Sequence, residues 1–178
     1  MKKATSPPSA PKRFIIQPLP SFSQAPGKIL ALAVVFFALL SFIFYGNTLY
    51  NQYALDDAIV ITNNDFTKKG IAGIPDILTS DSFAGWLKKD LKLIAGGRYR
   101  PFTQITFAIE YELLGKENPM VSHAINVMLY AGIVICIFFF FARYCFPLPI
   151  AFLAALLFLI HPIHTEAVAN IKGRDELL

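Results

Sequence analysis

Three stretches free of Lys, Arg, Asp and Glu decide what this chain can fold into. The first runs from Ile29 to Tyr45 and stays uncharged to Leu55. The second covers Pro119 to Ala142, and the third Tyr144 to Ile160. Each approaches the ~20 residues that carry a helix across ~30 Å of hydrocarbon. Lipid offers the backbone no hydrogen bonds, so a segment of this kind must satisfy its own as a helix. The expectation is an all-α, polytopic membrane protein with spans at about 29–50, 119–142 and 145–160. The third run is the shortest and holds Pro147 and Pro149, so its membrane part is tilted or begins at Pro149. The first span reads as an uncleaved anchor, because a 28-residue tail precedes it and no small-x-small cleavage site follows.

Charge placement predicts the topology. The tail, residues 1–28, holds Lys2, Lys3, Lys12, Arg13 and Lys28 with no acid, and the turn between spans two and three holds Arg143. All 12 acidic residues lie in the other two polar segments, nine from Asp56 to Glu117 and three after His161. Basic segments stay cytosolic, which puts the N-terminus in the cytosol and both acidic segments on the far side. The net charge of +4 then follows from topology and indicates no nucleic-acid partner. The tail is rich in Pro, Ser and Ala and is expected to be disordered. Cys136 falls inside span two and Cys145 at the cytosolic turn, a poor arrangement for a disulfide.

Residues 51–118 make one large extracytoplasmic loop, too apolar for a linker. Ile71, Ile74, Ile77, Leu78, Phe83, Trp86 and Leu87 are spaced to cover one side of short helices, with Pro75 in a first turn. A longer helix is predicted from Pro101 to Leu114, stopped by Gly115. Phe102, Ile105, Ile109 and Leu113 form its apolar face, widened by Phe107 and Leu114, and Glu110 and Glu112 mark the side toward water. This helix either lies along the membrane surface or packs on the rest of the loop. Asn118-Pro119 caps and opens span two.

The polar residues that flank the spans are the candidates for chemistry. His161-Pro162-Ile163-His164-Thr165-Glu166 follows the third run directly, and Asp56-Asp57 follows the first. Ionisable groups at a membrane boundary are functional hypotheses by default. Adjacent residues point ~100° apart on a helix, so Asp56 and Asp57 divide the work. One serves as a general base while the other orients it; the structural alternative is a helix cap. His161 caps a turn that Pro162 opens, and His164 lies on the same face. Zinc or another divalent ion is one reading of the two histidines, hydrogen bonding to a polar ligand the other. Arg98 and Arg100 flank Tyr99 ahead of the loop helix and suit a phosphate, either of a bound ligand or of anionic lipid at large. His123 and Asn126 share a face in the first turns of span two. Lys172-Gly173-Arg174-Asp175 adds a further cationic site on the same side.

Taken in order, these motifs resemble a known family. Asp-Asp after span one, Tyr-Arg-Pro in the loop, His-x-x-Asn entering span two, and His-Pro-Ile-His-Thr-Glu-Ala-Val before Gly-Arg-Asp-Glu-Leu-Leu are similar to the transmembrane and tetratricopeptide-repeat-containing O-mannosyltransferases. The resemblance covers about Tyr53 to Leu178 and concerns the N-terminal portion of that family. It implies a class C glycosyltransferase architecture over residues 29–178 and a polyprenyl-phosphate-linked sugar as donor. It also implies transfer with inversion to Ser or Thr hydroxyls of an acceptor protein. By the same resemblance Asp56 of the Asp56-Asp57 pair acts as base. Arg98, Arg100 or Arg174 holds the lipid phosphate, and His161, His164 and Glu166 shape the sugar or metal site. No cofactor beyond a divalent ion is suggested. Members of the family continue into further spans and repeats, so the chain reads as an N-terminal fragment, inactive alone. A bacterial inner membrane is favoured over the endoplasmic reticulum. The competing class is a non-catalytic membrane scaffold that binds a partner through the loop.

Overall fold

The computed structural model describes residues 20–88, 99–114 and 117–178. Arg98 and most of the expected tail lie outside them. Residues 20–26, also assigned to that tail, form a short turn over Phe22–Gln24, and the Pro20 carbonyl accepts a hydrogen bond from Leu148 N at 3.0 Å.

Every regular element among the described residues is helical. The first span, α1 (Gly27–Tyr45), continues as a tighter 3-10 turn to Tyr50. The loop contributes α2 (Asp65–Lys68), α3 (Ile74–Thr79), α4 (Ala84–Leu87) and α5 (Pro101–Leu113). The second span, α6 (Pro119–Phe140), is capped by Asn118 Oδ1, which accepts from Val121 N, and loosens to a wider turn up to Cys145. Then follow α7 (Leu148–Ile160), α8 (Thr165–Ala169) and α9 (Arg174–Leu177). Gly27–Tyr50 and Pro119–Cys145, of 24 and 27 residues, are long and apolar enough to cross a membrane. At 13 residues α7 spans only ~20 Å. It reaches crossing length only together with Pro162–Ala169, from which it is bent by 49°. The protein is an all-α, polytopic membrane protein.

Each span buries one narrow stripe and leaves the rest of its surface apolar and outward, as a bilayer requires. Ala33, Phe37, Ser41 and Tyr45 recur every fourth residue on α1, and Ala151, Ala155 and Leu159 do so on α7. The small residues let the backbones approach, which is how helices associate without a hydrophobic drive in lipid. Phe37 fills the space between them, its ring 4.9 Å from Phe152 and 5.4 Å from Phe138. At the far end Tyr130 packs edge-on to Tyr45 at 5.3 Å and donates its hydroxyl to Leu159 O at 3.0 Å.

The loop is folded around buried polar groups more than apolar ones. Asn64 caps α2, accepting from Phe66 N and Thr67 N, and donates to Ile59 O and Ser82 O, so all four of its valences are used. Of the apolar set expected to face inward, Ile77 is buried, whereas Ile71, Leu78, Trp86 and Leu87 are exposed. α5 keeps part of the expected division, with Phe107 of its apolar face buried and Glu112 of its water side exposed, and differs from it at Glu110. Phe102 and Leu113 are 77% and 66% exposed, while Glu110, assigned to the water side, is 8% exposed. Thr103, Gln104, Phe107 and Glu110 face inward. An outward apolar stripe suits a helix lying on a membrane surface, and the polar stripe finds partners within the protein.

Candidate active site

The two acidic residues after span one have separate environments. Asp57 is buried, and each carboxylate oxygen accepts one backbone hydrogen bond at 2.8 Å, from Ala54 N and from Lys172 N. Burial pushes its carboxyl above the ordinary value, against the pull of those two donors. Asp56 keeps a side chain 55% exposed, and its one ion pair is with Lys172 Nζ at 3.3 Å. The aliphatic stem of Lys172 is largely covered. One residue of the pair is thus an anchor, and its neighbour is held at the surface with a cation beside it. Lys172 also borders a small recess with Arg100 and Asp175, whose side chains form an ion pair.

On the other side of Asp57 an open cleft of about 680 Å³ runs between residues 50–57 and the 165–170 turn. Asp57, His123, Glu166 and Asn170 line it, together with Tyr50, Asn51, Tyr53 and Thr165. Among the expected site residues, the fold therefore gathers Asp57, His123 and Glu166 around one space, with Asp56 next to it. Asn126 lies beneath. Its Nδ2 donates to Asn170 O at 3.0 Å and Ile171 O at 3.2 Å, and its Oδ1 accepts from Arg174 Nε at 2.8 Å.

Two expectations change. Arg174, expected at a donor phosphate, is completely buried. Nη1 donates to Thr106 Oγ1 at 3.0 Å and to Glu110 Oε1, Nη2 to Ser122 O at 2.9 Å, and the guanidinium sits 4.3 Å above the Phe107 ring. Glu110 Oε2 accepts from the Ser122 hydroxyl at 2.7 Å. Burial lowers the guanidinium pKa, opposed by Glu110. This side chain ties α5, α6 and α9 together and has no open face for a ligand. The histidines after span three also sit apart from the cleft lining. His161 Nδ1 accepts from Ile163 N, which is the capping role expected of it, and His164 lies against Phe158 with ring centroids 4.2 Å apart. Among the described residues no three His, Cys, Asp or Glu side chains come together as a metal-binding group.

Glu110 was expected to face water and Lys172 to belong to a cationic site, and their partners Arg174 and the acidic pair were not foreseen, though each had a signal. Thr103, Thr106 and Glu110 repeat at helical spacing, a polar stripe as regular as the apolar one beside it. Lys172 stands between two residues already singled out, but a lysine gives no sign of which carboxylate it meets.

No family model and no solved structure matches the chain. It is similar to human "Protein O-mannosyl-transferase TMTC1", with 34% identity over 160 residues, 89% of this chain and 18% of that protein. "Protein O-mannosyl-transferase Tmtc1" of Drosophila melanogaster is 34% identical over 140 residues, 78% of this chain and 16% of the relative. Mouse "Protein O-mannosyl-transferase TMTC3" is 34% identical over 134 residues, 75% and 14% of the two. The chain thus spans less than a fifth of the length of these relatives. Over three quarters or more of its own length it resembles this protein O-mannosyl-transferase family.

Proposed function

We propose that this chain, as a member of that family, is the N-terminal part of a membrane transferase moving mannose from a polyprenyl-phosphate donor to Ser or Thr hydroxyls of proteins. The reaction site lies on the extracytoplasmic side, with the N-terminus in the cytosol, on the strength of the basic tail and Arg143. A bacterial inner membrane is the favoured location.

The observation that carries this reading is the division of labour between Asp56 and Asp57. A hydroxyl is a weak nucleophile and needs a base within reach. Asp57 is the poorer candidate, since it is buried and each of its oxygens already accepts from a backbone donor. Asp56 is exposed, fixed in place by its anchored neighbour, and paired with Lys172 Nζ at 3.3 Å. In the proposed step the acceptor hydroxyl loses its proton to Asp56 as its oxygen bonds to the sugar's anomeric carbon. The bond from that carbon to the phosphate oxygen breaks on the opposite face, and its electron pair leaves with the polyprenyl phosphate. Lys172, beside Asp56, and Arg100, which borders the same recess as Lys172, supply the positive charge that stabilises this leaving group. Arg174 acts through structure only.

The test reconstitutes a protein of the relatives' full length carrying this segment, with labelled polyprenyl-phosphate mannose and a Ser/Thr peptide. Asp56→Asn lowers transfer by ~10²–10⁴, the worth of a positioned base, with membrane insertion and abundance unchanged. Transfer at the wild-type rate removes Asp56 from the mechanism.

A further inference from the structure

His123 Nδ1 and Nε2 are the buried side-chain polar atoms that lack a hydrogen-bond partner among the described residues. The ring is 2% exposed, in the first turns of α6 and on the lining of the large cleft. Buried polar groups are nearly always paired, so an imidazole with neither nitrogen satisfied requires an account. Its neighbours do not offer one. The Asp57 oxygens are taken by Ala54 N and Lys172 N, and both ends of the Asn126 amide are occupied. The protein has placed acceptors next to His123 and turned each of them elsewhere.

The cleft's chemistry narrows what completes the pairing. Its lining combines Tyr and Thr hydroxyls, Asn and Gln amides and the carboxylates of Asp57 and Glu166, and among these residues none is cationic. Two carboxylates repel an anion, so a phosphate belongs in the neighbouring recess of Lys172 and Arg100. Hydroxyls, amides, aromatic faces and carboxylates together fit a neutral ring that bears several hydroxyls. The volume of about 680 Å³ is that of a small-molecule site. We infer that this cleft takes a neutral polyhydroxylated ring and that His123 pairs with one of its hydroxyls through the ring nitrogen nearer the cleft. In a neutral imidazole that nitrogen is a donor or an acceptor according to tautomer, and a hydroxyl meets either. Only the choice of mannose as the ring rests on the transferase reading.

The chain has three histidines, so ring nitrogen-15 labelling gives a spectrum simple enough to assign with one variant. The 178-residue chain in lipid nanodiscs is titrated with methyl α-mannoside and, separately, with inorganic phosphate. The sugar shifts the His123 ring signals saturably and leaves His161 and His164 in place, and phosphate leaves His123 unmoved. Saturation-transfer measurements on the sugar then show His123→Phe binding it about tenfold more weakly, with His123→Gln within about threefold of wild type. A His123 signal indifferent to the sugar, one moved by phosphate instead, or undiminished binding by His123→Phe overturns the inference. If the phenylalanine variant does not insert, the wild-type signals decide alone. Binding in this assay without mannose transfer by the full-length protein sinks the transferase reading and keeps the site. Transfer without a His123 response does the converse.

Discussion

Replacing Arg174 by Met tests whether one buried cation holds α5, α6 and α9 together. The guanidinium donates to Asn126 Oδ1, Thr106 Oγ1, Glu110 Oε1 and Ser122 O and covers Phe107. Methionine keeps most of the apolar stem and removes every donor. Thr106 loses little, since its hydroxyl still donates to Thr103 O at 2.7 Å. Glu110 loses most, because its carboxylate stays buried with only the Ser122 hydroxyl to meet it. Breaking one side of a buried ion pair costs about 3–5 kcal/mol, since the partner's charge is left uncompensated. Glu110→Met strands the cation instead and is expected to cost a similar amount. The double variant Arg174→Met/Glu110→Met leaves no stranded charge, and the remaining deficit is chiefly the unpaired Asn126 Oδ1, about 1–3 kcal/mol, since Ser122 O keeps its donor within α6. Thermal unfolding in detergent, followed by helical circular dichroism, converts these to about 6–20 °C for either single variant and a smaller drop for the double. A double variant no better than the singles, or Arg174→Met melting with the wild type, refutes the hub.

Asp57→Asn is expected to destabilise by about 1–3 kcal/mol, because an amide has one acceptor where the structure uses two. Asp56→Asn, at an exposed ion pair, is expected to change stability by no more than about 1 kcal/mol, and melting of the two variants side by side measures the contrast. Because burial raises the Asp57 carboxyl above its ordinary value of 3.8, the folded state holds that proton more tightly than the unfolded one. The Asp57→Asn deficit therefore widens as pH falls from neutrality through the folded value and levels off below 3.8, which melting across that range reads directly. Gly173→Ala places a methyl group 2.5 Å from Ala167 O and 2.9 Å from Asn170 O, both backbone atoms. Overpacking of this kind costs about 1–3 kcal/mol, and it appears in the same melts.

The sequence made the spans legible because a bilayer imposes a length, and the charge-free runs at 29–55 and 119–142 meet it. The caps were legible for a similarly local reason. Asn118 and His161 satisfy backbone groups two or three residues away, and such a distance is visible in a linear chain. What could not be read was which face of α5 turns inward. Its apolar stripe satisfies the pattern of a helix in water, and the pattern does not say whether lipid or protein covers it. The buried partner of Glu110 is 64 residues away in the chain, beyond any local rule. The same distance hid the true place of Arg174. A basic residue in a Gly-Arg-Asp motif looks like a ligand for an anion, and the anion it binds belongs to the protein itself.

The segment from Asn170 to Arg174 is what makes one site out of two distant motifs. Asn126 of span two holds it by the carbonyls of Asn170 and Ile171, and Arg174 locks it to α5 and α6. Between these grips Lys172 turns toward the acidic pair with both of its polar ends, its backbone N–H to Asp57 and its ammonium to Asp56. Asp56 therefore owes its position to residues 115 or more places downstream as much as to the span that precedes it. Any disturbance of the buried grip, at Asn126, Gly173 or Arg174, must reach Asp56 through Lys172. Loss of transfer in such variants would report displacement of Asp56, and loss in Asp56→Asn would report the chemistry proposed for it. Stability separates the two: the first group unfolds more easily, and the second does not.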